Sequence, residues 1–200
     1  MYRKLATTLT LGALAAAAPL TAQGIGLVAG VVSAKISVDP PLSGTEVSSR
    51  TGFVGGLSLT IMSNKAMSLG AEGLYVQKGA KLKSGTVTGS EEIAYLEVPV
   101  LLHIKLGSGP MHPFLLVGAQ YSMMLSCSQK ISTLADVDCK ANNDIRSSDY
   151  GIMAGIGIRS GKLSLSIRYD LGLQDITKDP SPGDPVAKNR AIMALVGISM

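Results

Sequence analysis

Hydrophobic and polar positions alternate with a period of two through residues 93–105. Ala94, Leu96, Val98, Val100, Leu102 and Ile104 fill the even positions, and Tyr95, Glu97, Pro99, His103 and Lys105 fall on the odd ones. That period places the two sets on opposite faces of a β-strand. At 13 residues the run is about twice the usual strand of roughly 5–6 residues. A tilted strand of about 9–11 residues is what crosses a bilayer. The pattern predicts an apolar face against lipid and a polar face lining a closed interior.

Carried along the chain, the same reading predicts eight strands, at 24–37, 51–62, 67–79, 93–105, 113–125, 149–159, 163–174 and 190–200. The first is apolar or small on both faces, so its register is weakly specified. The others have one apolar face, for example Phe53, Leu57, Leu59 and Ile61, or Leu163, Leu165, Ile167, Tyr169, Leu171 and Leu173. Connections alternate in length: 38–50, 80–92, 126–148 and 175–189 are long, whereas 63–66, 107–112 and 160–162 are short. Outer-membrane barrels have this rhythm, with short periplasmic turns, long extracellular loops and both termini on the periplasmic side. Beyond the N-terminus no run of about 18 apolar residues suggests a membrane helix. A membrane chain without such helices must close its sheet, because lipid offers no partner to unpaired backbone groups. The expected fold class is all-β: an eight-stranded antiparallel up-and-down transmembrane β-barrel. A soluble, secreted, lipocalin-like barrel is the alternative.

Residues 1–22 read as a separate unit. Arg3 and Lys4 form a positive start, 5–18 an Ala-rich apolar stretch, and Pro19 to Ala22 a breaker ending in a small residue. This is the layout of a secretory signal peptide, leaving residues 23–200 as one barrel domain. Without Arg3 and Lys4 the net charge falls from +4 to +2. No basic stripe with interleaved aromatics is present, so the chain is not expected to bind nucleic acid. Hydrophobic residues make up 46% and charged residues 16%, with 23 glycines, a composition that soluble Gly-rich β proteins share.

Candidate chemistry falls in three places. Tyr75, Tyr121, Tyr150 and Tyr169 lie on apolar faces toward the long-loop end and are expected to form an outer aromatic girdle. Glu72, Glu97, Arg168 and Asp170 are expected inside, near mid-height, with His103 and Lys105 nearer the periplasmic end. Two close carboxylates repel unless a cation compensates, and Arg168 is the expected partner of both Glu72 and Glu97, since a guanidinium bridges carboxylates well. Eight strands leave an interior that side chains fill or that holds one small ligand, so this group is read as a plug network, with a gate or ligand site as the alternative. Cys127 and Cys139 share the longest loop and should bridge in an oxidising compartment. No His or third Cys stands near them, and neither a metal nor a cofactor is expected. His103 has no evident serine partner for a hydrolase arrangement.

Tyr95-Leu96-Glu97-Val98-Pro99-Val100-Leu101-Leu102 resembles the Tyr-Leu-Glu-Ile-Pro-Leu-Leu signature of the PorT-like outer-membrane β-barrel domain. Leu74 to Ala80 resembles that family's third strand, Arg168 to Leu173 its seventh, and Asn189 to Met200 its closing strand. The likeness spans the mature chain. It implies an eight-stranded barrel in the outer membrane of a Gram-negative bacterium and little about activity. Such barrels usually end in an aromatic residue recognised by the barrel-assembly machinery, whereas this chain ends in Met200. The function expected is a small integral outer-membrane barrel without catalysis, structural or recognising an extracellular partner through its loops. The alternative is a narrow channel or ligand-binding barrel with a gated polar interior.

Overall fold

The structure is a computed structural model that describes residues 24–41, 44, 46–85, 87–131, 139, 145–178 and 184–200. The expected leader, 1–22, lies outside the described residues. Eight strands follow in order: β1 Gly24–Asp39, β2 Glu46–Ser63, β3 Met67–Ser84, β4 Val87–Lys105, β5 Met111–Ile131, β6 Ser148–Ser160, β7 Leu163–Gly172 and β8 Val186–Ser199. Each pairs antiparallel with the next, and β8 pairs with β1 to close the ring. The all-β up-and-down barrel read from the sequence is the fold observed.

The stagger of the ring can be followed through its paired residues. From Gly24 the ladder leads through Thr60, Gly70, Leu101, Gly118, Met153, Asp170 and Ala191 back to β1 at Ala34, ten residues from the start. With about 3.3 Å per residue and about 4.8 Å between strands, this corresponds to strands tilted by roughly 40°. At that tilt the outward run from Leu163 to Leu173 spans roughly 25 Å of height, the size of the apolar band of a membrane barrel.

Facing follows the alternation. Leu27, Val31, Phe53, Leu57, Val98, Val100, Val117, Ile152, Ile156, Leu165, Ile167, Ile192 and Val196 stand outward, each more than a third exposed. Val28, Val32, Val54, Leu74, Val76, Leu101, Phe114, Leu116, Met153, Met193 and Leu195 fill the interior. A continuous apolar outer belt of this size has no place in water, which sets aside the soluble lipocalin-like alternative. The wall also comes very close to itself. A Cβ on Gly118 would lie 1.9 Å from the Val100 carbonyl oxygen, so only glycine fits there.

The strands run higher on one side than the sequence suggested. Residues 80–92 were expected to be a long loop; instead β3 and β4 stay paired from Ala80↔Glu91 to Ser84↔Val87 around a turn at Gly85 (φ 58°). Likewise β2 begins at Glu46 and β5 continues to Ile131, inside segments expected to be loops. At this rim β1 parts from β2 beyond Ala34↔Arg50 and stays with β8 to Asp39↔Val186. β5 parts from β6 beyond Met123↔Ser148 and stays with β4 to Gly89↔Ile131. The alternation inverts there. Below, apolar side chains face out; above Gly79, Lys81 and Lys83 face out, and Ala80 and Leu82 face in. The inversion marks the outer edge of the lipid belt, above which the outward face meets water.

The crowding at Gly118 yields a test. Gly118→Val should cost about 1–3 kcal/mol or more, because the backbone must move to admit the side chain. Ala119→Val, one residue along and facing lipid, should stay within about 0.5 kcal/mol. Urea unfolding of the two variants in lipid vesicles measures both; equal midpoints would contradict the register.

Candidate functional site in the barrel lumen

The polar interior forms because inward positions repeat every second residue on strands that face one another. On β3 the inward phase carries Glu72, Leu74, Val76 and Lys78; on β7 it carries Arg168 and Asp170. Arg168 reaches across the barrel to Glu72 in a two-pronged pair, Nη1 to Oε2 at 2.5 Å and Nη2 to Oε1 at 3.0 Å. Planar guanidinium and carboxylate match in this geometry. Both residues are buried.

A second group lies toward the outer end. Lys78 Nζ sits 2.6 Å from Glu97 Oε2 and also donates to Asp170 Oδ2. Gln120 Nε2 donates to Asp170 Oδ1 at 3.2 Å, and Ser122 Oγ lies within donating distance of both Glu97 Oε2 (3.2 Å) and Gln120 Oε1 (2.6 Å). The Tyr95 ring is 5.7 Å from Lys78 Nζ, a distance that suits a cation over an aromatic face. Asn189 Nδ2 joins the group by donating to the Tyr95 hydroxyl at 3.3 Å and to Asp149 Oδ2 at 2.9 Å.

Arg168 therefore serves Glu72 alone, and Lys78 serves Glu97 and Asp170. The reason lies in register and reach. Glu97 is opposite Leu74, so Glu72 is one pleat lower and the two carboxylates belong to different layers. Lys78 shares the inward phase of Glu72, and its flexible four-carbon stem lets it meet carboxylates some distance from its own Cα. Asp149, Gln120, Ser122 and Asn189 were not singled out. For Asp149, Gln120 and Ser122 the signal was phase alone, each occupying an inward position on its strand; Asn189 fell in the segment expected to be a loop, and β8 in fact begins at Val186.

These side chains occupy the lumen instead of lining an open passage. Lys78, Tyr95, Glu97, Asp149 and Asp170 are each at most 1% exposed. Groups around a water-filled pore would be wet. The network is not fully satisfied: Glu97 Oε1, Asp149 Oδ1 and Arg168 Nε are buried without a hydrogen-bond partner.

Beneath the Arg168–Glu72 pair, toward the short turns, lies a cavity of about 50 Å³ lined in part by Ser58, Ser68, His103, Arg159, Ser164 and Ser166. His103 packs against Phe114, ring centroids 5.5 Å apart. Ser68 is its direct cross-strand neighbour, but among the described residues no hydroxyl hydrogen-bonds the imidazole. Lys105 points to the turn instead, with Nζ 2.7 Å from the Asn64 carbonyl oxygen.

Tyr121, Tyr150 and Tyr169 stand exposed on the outer wall, Tyr121 directly opposite Tyr150. Tyr75 is also outward, half-buried because it stacks on Phe53 at 5.3 Å between centroids. Cys127 and Cys139 form a disulfide that packs on Ile93, Tyr95 and Met124. Among the described residues, the group close enough to suggest metal ligation is Glu91 with these two sulfurs, which are already joined to each other.

A closed, outward-apolar ring of eight strands around a buried ionic network defines an outer-membrane β-barrel. Residues 21–178 match the family model described as outer membrane protein beta-barrel domain, and the chain belongs to that family. No curated protein sequence matches it. Among solved structures it is similar to Ail, the attachment invasion locus protein of Yersinia pestis, at 12% identity and a TM-score of 0.50, covering 88% of this chain and 98% of Ail. It is also similar to the outer membrane protein OprG from Pseudomonas aeruginosa, at 15% identity and a TM-score of 0.47, covering 90% and 97%. At these identities the likeness concerns the fold.

Two outcomes follow from the site. Lys78→Met strands two buried carboxylates and should lower stability by about 3–5 kcal/mol; adding Glu97→Gln and Asp170→Asn should restore much of it. Urea unfolding of the single and triple variants compares them, and equal losses would show that Lys78 does not compensate these acids. Second, Cys127→Ser with Cys139→Ser should speed trypsin cleavage after Lys130, at the end of β5, while the barrel still migrates on a gel as a folded species until heated, since the bridge closes a loop worth about 3 kcal/mol in the chain-entropy model.

Proposed function

We propose that this protein is a non-catalytic outer-membrane barrel whose lumen is plugged and whose extracellular rim is its working surface, structural or in recognition of a partner outside the cell. The observation that carries the reading is the burial of Lys78, Glu97 and Asp170 inside the lumen, each at most 1% exposed, with Lys78 paired to both acids. Transport through that layer would require breaking ion pairs already withdrawn from water, which leaves an uncompensated buried charge. The rim is where the chain invests its extra length, through β2 to β5 and the disulfide-tied segment. Such positions on a rigid scaffold suit recognition.

On this reading the leader at 1–22 exports the chain, the barrel-assembly machinery inserts it despite the non-aromatic Met200, and outer-membrane lipid surrounds the apolar belt. Kinship with the PorT-like branch rests on the Tyr95 to Leu102 motif, which now has a physical content: Tyr95, Glu97, Pro99 and Leu101 are the inward set of β4, and Glu97 anchors the plug.

Planar-bilayer recording tests the reading. The wild-type barrel should show no stepwise conductance, and Lys78→Ala combined with Arg168→Ala should introduce it. Discrete openings in the wild type would favour the narrow-channel alternative and overturn the plug.

A further inference from the structure

Above the lipid belt the inverted alternation turns apolar side chains inward, and they enclose a cup. Ile36 and Val38 of β1, Val47 of β2, Leu82 of β3 and Ile176 above β8 frame a space of about 220 Å³ at the extracellular mouth. Its floor and lid are fixed. Ile176 N donates to the Ala187 carbonyl at 2.9 Å, Arg146 N to the Ile176 carbonyl at 2.8 Å, and Asp175 Oδ1 accepts from Thr177 N and Ala187 N. Ile145 and Thr177 bridge across the lid. Most of this lining is what the core of any water-facing sheet would contain.

Glu91 does not fit that account. It pairs with Ala80 on β3 and Gln129 on β5, so its side chain shares their inward face and lines the apolar cup. It lies five residues beyond Leu96, the partner of Tyr75, and so outside the membrane. Its Oε1 is buried with no hydrogen-bond partner, and among the described residues no cation pairs with it. Burial alone pushes its carboxyl above the ordinary carboxylate range, with no cation acting to pull it back. The contrast with its neighbour Glu92, which pairs with Arg50, is direct. A carboxylate left this way in an apolar setting costs stability without any return from the fold. An apolar container with one unanswered anionic acceptor is complementary to a ligand with an apolar body and one cationic N–H donor.

We propose that this rim cup is a binding site for a small primary amine with an apolar body, held by Glu91 through a charge-assisted hydrogen bond and by the apolar wall through Leu82, Val47 and Ile176. The site deepens the recognition role proposed for the rim and rests on that reading, but it does not depend on the plug. The ammonium donates to the Glu91 carboxylate, whose side chain lines the cup, and the apolar body displaces water from it; the two contacts together select amines over alcohols of the same shape and over ammonium itself.

Isothermal calorimetry on the full barrel in lipid nanodiscs, with empty nanodiscs as the reference, tests this with 2-phenylethylamine as the probe and 2-phenylethanol as its uncharged counterpart. Saturable, protein-dependent binding of the amine is expected, about tenfold or more tighter than that of the alcohol. Glu91→Gln should remove that preference, and Leu82→Trp, which fills the cup and keeps Glu91, should abolish binding of both. Heat-dependent gel mobility confirms that each variant is folded. Absence of protein-dependent binding, an equal affinity for amine and alcohol, or an unchanged affinity in Glu91→Gln would overturn the site. None of these outcomes bears on conductance, which alone decides the plugged lumen.

Discussion

Lipid supplies no hydrogen-bond partner, so every backbone N–H and C=O within the belt must be paired by another strand. The rest of the structure follows from that constraint. It forces β8 onto β1, and once the ring is closed the ten-residue stagger sets both tilt and radius. Eight strands at that stagger leave an interior the width of a few side chains. Large groups such as Tyr95, Met153, Lys78 and Arg168 then occupy it, and adjacent strands curve so closely that at Gly118 the neighbouring β4 backbone leaves room only for glycine.

The charges in the lumen answer a different question, which is why this register and not another. Strand alternation has a period of two, so a one-residue slip turns every inward side chain outward. For β1, apolar or small on both faces, such a slip changes little. For β3, β4 and β7 it would push Lys78, Glu97, Arg168 or Asp170 into lipid, at about 2–4 kcal/mol for a basic residue near the midplane. Buried ion pairs are often no more stabilising than well-packed apolar groups. Here their contribution is that only one register lets them meet. Arg168–Glu72 ties β7 to β3, and Lys78 ties β3 to β4 and β7.

Legibility in the sequence tracked how strongly a single rule acted. Within the belt one rule dominates, apolar outward, and the eight strands and their facing could be read from it. Above Gly79 the outward medium changes from lipid to water and the rule reverses. Ala80, Lys81, Leu82 and Lys83 still alternate, but in the opposite sense, so the top of the β3–β4 hairpin read as a loop. The inward placement of Glu72, Glu97, Arg168 and Asp170 follows from phase. Which cation meets which acid does not, because it depends on stagger across the ring and on the length of the Lys78 side chain. Asp149 was hidden by its position at the start of β6, where phase is set by only a few residues.

The same change of medium separates the buried carboxylates of the lumen from the half-buried one at the rim. In the lumen, Arg168 answers Glu72 while Glu97 and Asp170 share Lys78, and these pairings select the register. In the rim, register is already fixed by the belt below and by the turn at Gly85, so a charge there specifies nothing. Glu91 faces an apolar space with an oxygen unanswered, in the part of the chain least constrained by the bilayer. Stability would be served better there by glutamine or leucine. In the rim, side chains are freer to answer to something other than the barrel's own assembly, and Glu91 is a residue there whose chemistry the barrel does not use.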